Sequence, residues 1–246
     1  MSAQRRVAVL VFPGTNSEDE TLRALRAAGA AAELVHYSRG KSALGDFGAY
    51  VLPGGFAYED RVRAGAVAAH DELTDAVIAG AQAGKFVLGI CNGAQILLEA
   101  GLVPGTAAVR RPTAAFTPNL PGGRFQCKRV YIRPVIDSQR MPILADLPAQ
   151  ALPVWVANGE GRLQAMPAEL TTIERDGHLA FVYCDAGGAR TAAPNGSRLD
   201  AAGLVDRSGR ILALMPHPER DAHSRIAVPG GAAFFSAFVR ALERSA

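Results

Sequence analysis

One stretch constrains this chain more than any other. Gly89-Ile90-Cys91-Asn92-Gly93 follows the apolar run Lys85-Phe86-Val87-Leu88 and leads into Ala94-Gln95-Ile96-Leu97-Leu98-Glu99-Ala100, a run of helix formers. The pattern is strand, sharp turn and helix, with a potential nucleophile at the turn and a glycine two residues to either side. Small flanking residues let the backbone take a strained turn that lifts the sulfur above the sheet edge. The helix then points its N-terminus at that sulfur, where free N–H groups favour the thiolate. An isolated cysteine ending a buried strand is more often a small apolar core residue. Two flanking glycines and the switch from strand to helix reverse that reading.

The rest of the first half repeats the same alternation. Val7-Ala8-Val9-Leu10-Val11-Phe12 is a continuous apolar run, the pattern of a strand buried on both faces, and Pro13-Gly14 ends it. Ser17-Glu18-Asp19-Glu20 has capping-box spacing, and Leu22, Leu25 and Ala28 continue a helical face to Gly29. Ala32 to Val35 and Tyr50 to Leu52 predict two further strands, the second broken by Pro53-Gly54-Gly55, and a helix is expected from about Ala64 to Ala83. Alternating units of this size build an α/β fold with an open, mostly parallel sheet, flanking helices, and functional loops at the carboxyl ends of the strands.

After Gly101 the texture changes. Pro, Gly and Arg crowd Gly105 to Arg124, which predicts a long surface loop. β-type runs follow at Phe125 to Val135, Leu152 to Ala157 and Leu179 to Tyr183, and Leu204 to Met215 predicts a hairpin turning at Arg207-Ser208-Gly209. These are added antiparallel strands in the second half. Phe234, Phe235, Phe238, Val239 and Leu242 fall at helical spacing, so a closing amphipathic core helix is expected. No linker interrupts the 246 residues, which are expected to form one domain, 1–246.

Composition excludes several classes. A net charge of +3 is small for this length and offers no electrostatic case for nucleic acid. No apolar run reaches the roughly 18 residues of a membrane span, and Met1 to Arg6 leads into a strand and not into a signal-peptide apolar region. No membrane association is expected, and the cytoplasm is the expected compartment. Cys91, Cys127 and Cys184 are odd in number and widely spaced, which suits reduced thiols and argues against a disulfide framework or a metal site.

A thiolate nucleophile needs a base, and the base an orienting group. Of His36, His70, His178, His217 and His223, only His217 directly follows a confident strand with a carboxylate in a constrained setting, Met215-Pro216-His217-Pro218-Glu219-Arg220. The prolines restrict the backbone on either side of the imidazole, and the i, i+2 spacing lets Glu219 reach the ring nitrogen that does not face sulfur. Cys91, His217 and Glu219 therefore form a candidate nucleophile, base and orienter. Acyl chemistry also needs oxyanion donors. The backbone N–H of Asn92 is one candidate, and Gly55, in the Gly54-Gly55 turn after a neighbouring strand, is the second. A lone Gly-Gly is more often an ordinary strand-ending turn. Phosphate-binding loops, the dinucleotide fingerprint, the zinc-protease motif and the calcium loop do not occur. The residues by themselves describe an α/β enzyme that forms a thioester from a small acyl or amide substrate.

With these motifs in hand, the chain resembles the class I, triad-type glutamine amidotransferases, and within them the glutaminase subunits of phosphoribosylformylglycinamidine synthase. The resemblance rests on Phe12-Pro13-Gly14-Thr15-Asn16, on Gly54 to Tyr58 with Asp60 and Arg63 to Ala66, on the elbow with Gln95, and on Gly159 to Arg162. It continues through Tyr183 to Asp185, Pro194 to Ser197 and Met215 to Arg220. It implies a flavodoxin-like amidotransferase fold and hydrolysis of L-glutamine through a glutamyl thioester on Cys91. It also implies glutamine contacts from Gln95 and Gly54, although Gln95 reads equally as a surface helix residue. No cofactor is implied in this chain. ATP and magnesium are expected on a large synthetase subunit, which makes formylglycinamidine ribonucleotide from formylglycinamide ribonucleotide beside a small accessory subunit. Ser17, Ala57, Glu59, Ala94 and Asn158 depart from the usual family residues. Gly159 to Arg162 and Pro194 to Ser197 fit either tight-turn chemistry or partner docking. The rival readings are a glutaminase for another ammonia-using synthetase, a stand-alone cysteine hydrolase, and a thiol-based oxidant sensor. The last has no need of an oriented base.

Overall fold

A computed structural model describes residues 6–222 and 230–244 of the chain. Continuous apolar runs become strands buried on both faces. β1 (Arg6–Val11), β2 (Ala31–His36) and β3 (Ala49–Leu52) alternate with α1 (Glu18–Ala27) and α2 (Glu72–Gln82), and β4 (Phe86–Ile90) passes through Cys91 into α3 (Asn92–Glu99). The second half adds β5 (Ala114–Thr117), β6 (Gln126–Pro134), β7 (Leu152–Asn158), β8 (Arg162–Ala165), α4 (Pro167–Arg175) and β9 (Leu179–Cys184). The hairpin β10 (Ala201–Val205) and β11 (Ile211–Leu214) and the helix α5 (Gly230–Arg244) complete the described elements.

Nine strands share one sheet in the order β2-β1-β3-β4-β11-β10-β9-β6-β7. Pairing is parallel from β2 across to β11 and antiparallel from β11 to β7, so β10 and β6 alone run against the rest. This is the open, mostly parallel α/β sheet with antiparallel additions that the alternating pattern predicts. β11, made late in the chain, inserts beside β4 with Leu214 opposite Ile90. Two carboxyl ends more than a hundred residues apart in sequence therefore lie side by side. The β9–β10 pairing carries register shifts around Gly203, irregularities that bend and twist a sheet. The antiparallel half curls back until β7, its far edge strand, meets the segment after β11: His217 N–H donates to Trp155 O at 2.7 Å.

Three local expectations differ from the structure. α2 starts at Glu72, not near Ala64. Gly65 takes φ +82°, a 3-10 turn covers Ala68–His70, and Asp71 caps the helix by accepting from Leu73 N at 2.7 Å. Ser17 stands at the N-cap of α1 but does not form a capping box. Asn16 N and Ser17 N both donate to Gly54 O, and the Ser17 hydroxyl turns to Asn16 Oδ1 at 3.3 Å. The 105–124 loop contains β5, which pairs with β8 in a separate two-stranded sheet. β8 and α4 lay outside the predicted elements. α4 carries a weak signal, Pro167 at its first turn with Leu170 and Ile173 buried one turn apart. The closing helix is core: Phe234, Phe235, Phe238, Val239 and Leu242 are all buried. A Cβ on Gly231 would lie 2.1 Å from Pro218 O, so α5 rests directly on the His217–Glu219 segment.

Candidate active site

Cys91 sits one residue past the end of β4 with φ +51° and ψ −105°, a conformation an L-residue holds only when its surroundings enforce it. Cys91 N–H donates to Leu214 O at 2.8 Å, and Gln95 N–H returns to Cys91 O at 3.0 Å. The strained residue is thus the cysteine itself. Gly89 and Gly93 serve close packing: a Cβ on Gly93 would meet Leu52 O at 1.9 Å, and one on Gly89 would meet Gly93 C at 2.6 Å. Asn92 is tied down by its side chain, with Oδ1 accepting from Ala57 N at 3.0 Å and Nδ2 donating to Asp60 Oδ1 and Gln95 Oε1.

His217 and Glu219 lie in the 3-10 turn after β11, both buried, with Nδ1 and Oε1 2.5 Å apart. His217 Nε2 has no nitrogen or oxygen partner among the described residues. Burial lowers the proton affinity of the ring, but the Glu219 carboxylate and then the Cys91 sulfur more than offset it, so the imidazole titrates well above its ordinary value. The Cys91 sulfur lies 3.8 Å from Ala157 O on β7. The other described histidines serve elsewhere: His178 bonds Val205 O, His36 bonds Ser38, and His70 lies beside Arg110. His223 lies outside the described residues.

Gly54 and Gly55 rest on the Phe12 to Asn16 segment. Phe56 N donates to Gly14 O and Tyr58 N to Pro13 O, and a Cβ on Gly55 would meet Thr15 Cα at 2.7 Å. A Cβ on Gly54 would meet His217 Cε1 at 2.7 Å, so Gly54 seats the imidazole. A cleft of about 230 Å³ opens on Cys91 and is lined in part by Gly55, Asp60, Gln95, Asn158 and Glu160. A larger cavity of about 310 Å³ between Phe47, Lys85 and Arg210 is lined by none of Cys91, His217 and Glu219. Both ends of the Gln95 amide have protein partners: Oε1 accepts from Asn92, and Nε2 donates to Glu160 O at 2.7 Å. Gln95 therefore ties the β7–β8 loop to the elbow.

Asp60 was not among the sequence candidates as a site residue. Tyr58, Glu59 and Asp60 all take positive φ, and this run turns Asp60 into the cleft. Burial pushes its carboxyl up to about 6, Glu160 across the cleft adds to the effect, and the Asn92 amide opposes both. Ionised Asp60 is thus a cost to folding that is absent below its unfolded value of about 3.9 and complete above about pH 6. Asp60→Asn keeps an oxygen for Asn92 Nδ2. It is expected to stabilise the fold at about pH 8 by on the order of 1 kcal/mol after solvent screening, raising Tm, and to leave Tm unchanged at about pH 4. An equal shift at both pH values in a thermal melt contradicts this.

Comparison with known proteins adds to this geometry. The CobB/CobQ-like glutamine amidotransferase domain matches residues 4–227. A phosphoribosylformylglycinamidine synthase subunit PurQ of Symbiobacterium thermophilum is 41% identical over 242 residues, covering 96% of this chain and 97% of its own. The chain belongs to the PurQ family of glutamine amidotransferases. The PurQ of Thermomicrobium roseum is 42% identical over 219 residues, covering 87% of each chain. The structure of PurLQS from Thermotoga maritima superposes with a TM-score of 0.78 at 29% identity, over 96% of this chain and 97% of that one. A GMP synthase-like protein of Thermoplasma acidophilum shares the fold alone, with a TM-score of 0.60 at 17% identity over 98% of this chain and 94% of that one.

Two PurQ-type motifs without a sequence-derived role have local ones. Asn119 accepts from Gly161 N at 2.9 Å and its own N–H donates to Gly159 O, which clamps the Gly159 to Arg162 loop. Asn195 accepts from Ser197 N, and the Ser197 hydroxyl joins Ala201 O to Leu163 N. Among the departures, Glu59 is largely exposed and paired with Arg61, whereas Ala57 and Ala94 are buried.

Proposed function

We propose that this chain is the glutaminase subunit of a phosphoribosylformylglycinamidine synthase. It hydrolyses L-glutamine to glutamate and ammonia, and the ammonia is used by the synthetase subunit that converts formylglycinamide ribonucleotide to formylglycinamidine ribonucleotide with ATP. The observation that carries the reading is an elbow cysteine that opens on a cleft while its sulfur interacts with the buried His217–Glu219 pair.

In this reading the Cys91 thiolate attacks the amide carbon of the glutamine side chain, and the carbonyl π electrons move to oxygen. The developing oxyanion is met by the N–H of Asn92, which heads α3 where backbone donors have no intrahelical partner, and by the N–H of Gly55 in the cleft wall. The carbon–nitrogen bond then breaks as the nitrogen takes the proton held on His217 Nε2 and leaves as ammonia. Water attacks the thioester and gives a proton to His217. The carbon–sulfur bond breaks, glutamate leaves, and the thiolate returns. Glu219 holds Nδ1 throughout, keeping Nε2 toward the sulfur.

Ammonia serves the synthetase only while unprotonated, which calls for a closed route between the two active sites. We assign ATP and magnesium to the large synthetase subunit, place a small accessory subunit in the same complex, and locate the complex in the cytoplasm. Among the described residues no helix is long and apolar enough to cross a membrane. Gating follows from the division of labour. The isolated chain is expected to hydrolyse glutamine at least about tenfold more slowly than the same chain mixed with its synthetase subunits. Glutamate release measured with and without those subunits tests it, and full glutaminase activity from the chain alone overturns the gating.

A further inference from the structure

His217 stands on a segment whose attachment to the antiparallel half is narrow. β7 is the far edge strand of the nine-stranded sheet, and an isolated antiparallel bridge joins it to the segment after β11: His217 N–H donates to Trp155 O at 2.7 Å. A bridge of this kind fixes one point and leaves the segment free to pivot about it. The hydrogen bonds of the ring do not resist that pivot. Nε2 has no nitrogen or oxygen partner among the described residues, and Nδ1 engages Glu219, which travels with the same turn.

Asp221 ends that turn four residues after His217, and its side chain supplies a second attachment to the same strand. The carboxylate is only 4% exposed. It accepts from Trp155 Nε1 at 3.2 Å, and each of its oxygens lies 3.3 Å from Arg129 Nη2. Arg129 and Trp155 are directly opposite one another in the β6–β7 ladder, so both project from one face of the sheet and a single carboxylate grips both strands. Trp155 is therefore held twice, through its carbonyl by His217 and through its indole by Asp221. Two residues farther along β7, Ala157 O lies 3.8 Å from the Cys91 sulfur. The strand that receives the base thus also borders the nucleophile.

Stability alone does not account for this arrangement. A buried carboxylate is costly to keep, and an apolar residue of similar volume is often as stable or more so. Accurate placement does account for it, because a displacement of about 1 Å between reacting groups can lower a rate by about 10²-fold. Neither Asp221 nor Trp155 lines the cleft on Cys91, so their influence on the reaction is exerted through His217. We propose that Asp221 is a positioning residue for the glutaminase reaction: by gripping Trp155 and Arg129 it docks β7 against the turn and holds His217 in register with the Cys91 sulfur. The proposal rests on the glutaminase reading.

The test measures glutamate release by the full chain assembled with its synthetase subunits, as kcat, KM for glutamine and the pH profile of kcat. Asp221→Asn keeps the side-chain volume and removes the charge. It is expected to lower kcat about tenfold and to leave KM within about twofold. Glu219 and the Cys91 sulfur are the groups that raise the proton affinity of His217, so a loosened contact with sulfur should move the alkaline limb to lower pH. Trp155→Phe removes the indole N–H without changing any charge. It should lower kcat about threefold and move the limb in the same direction, which separates position from a direct effect of charge. The double variant should be no slower than Asp221→Asn alone, since both changes break one attachment. A kcat for Asp221→Asn within about twofold of the unsubstituted complex, a limb unmoved in both variants, or losses that multiply in the double variant overturn the positioning role alone. Absence of glutamate release from the unsubstituted complex overturns the glutaminase reading and the positioning role with it.

Discussion

Cys91→Ala is expected to abolish glutamine-dependent formylglycinamidine ribonucleotide synthesis by the assembled complex, by roughly 10⁴-fold or more, while synthesis from added ammonium salts continues at the unsubstituted rate. The covalent route has no substitute once the sulfur is gone, since neither His217 nor Glu219 is a nucleophile toward an amide. The fold should tolerate the change. Cys91 already takes φ +51°, alanine meets the same steric cost there, and the N–H to Leu214 O and the carbonyl to Gln95 N bonds belong to the backbone. Product formation with each nitrogen source decides the matter. Loss of both activities together, with the complex still assembled, would refute the division of labour between the chain and its synthetase.

Glu219→Gln should produce the second largest effect, a fall in kcat of about 10³ to 10⁴ with little change in stability. Glu219 is buried, its Oε1 engages His217 Nδ1, and its Oε2 has no partner among the described residues. Glutamine keeps the volume but removes the charge that stabilises the imidazolium. Because the Glu219 carboxylate raises the proton affinity of His217, its removal lowers that affinity, and the pH limb governed by the imidazole should move to lower pH. No uncompensated charge remains, since the ring becomes neutral, so Tm should shift by no more than about 1 kcal/mol equivalent. A fall in kcat of less than tenfold, or an unmoved pH limb, removes Glu219 from the orienting role.

The contrast between what local pattern reveals and what it hides is clearest around these residues. The elbow announces itself because β4 is a short continuous apolar run, α3 is composed of helix formers, and the glycines bracket the turn. The physical role of the glycines was not legible. The sequence suggests that small residues at Gly89 and Gly93 permit a strained turn; the strain resides at Cys91, and the glycines admit Leu52 and one another at distances no side chain permits. The start of α2 was misplaced because Ala64 to His70 has helical composition, while Gly65 and the competing cap at Asp71 are decided by contacts with Gln95 and Leu73. β5 and β8 are four residues each, too short for a period to show, and exist because they pair with each other.

The sequence by itself determined the class of fold, the cysteine on its turn, and the segment that presents His217 and Glu219, because each is written in neighbouring residues through apolar runs, glycines and prolines. Tertiary structure alone decided that β11 lies beside β4 and that the antiparallel half curls until Trp155 and Ala157 reach the site. It alone turned Asp60, Glu160 and Asn158 toward one cleft. Strand order and sheet curvature depend on pairings between residues far apart in the chain. Those pairings are selected by the free energy of the whole packed core and leave little trace in any local window.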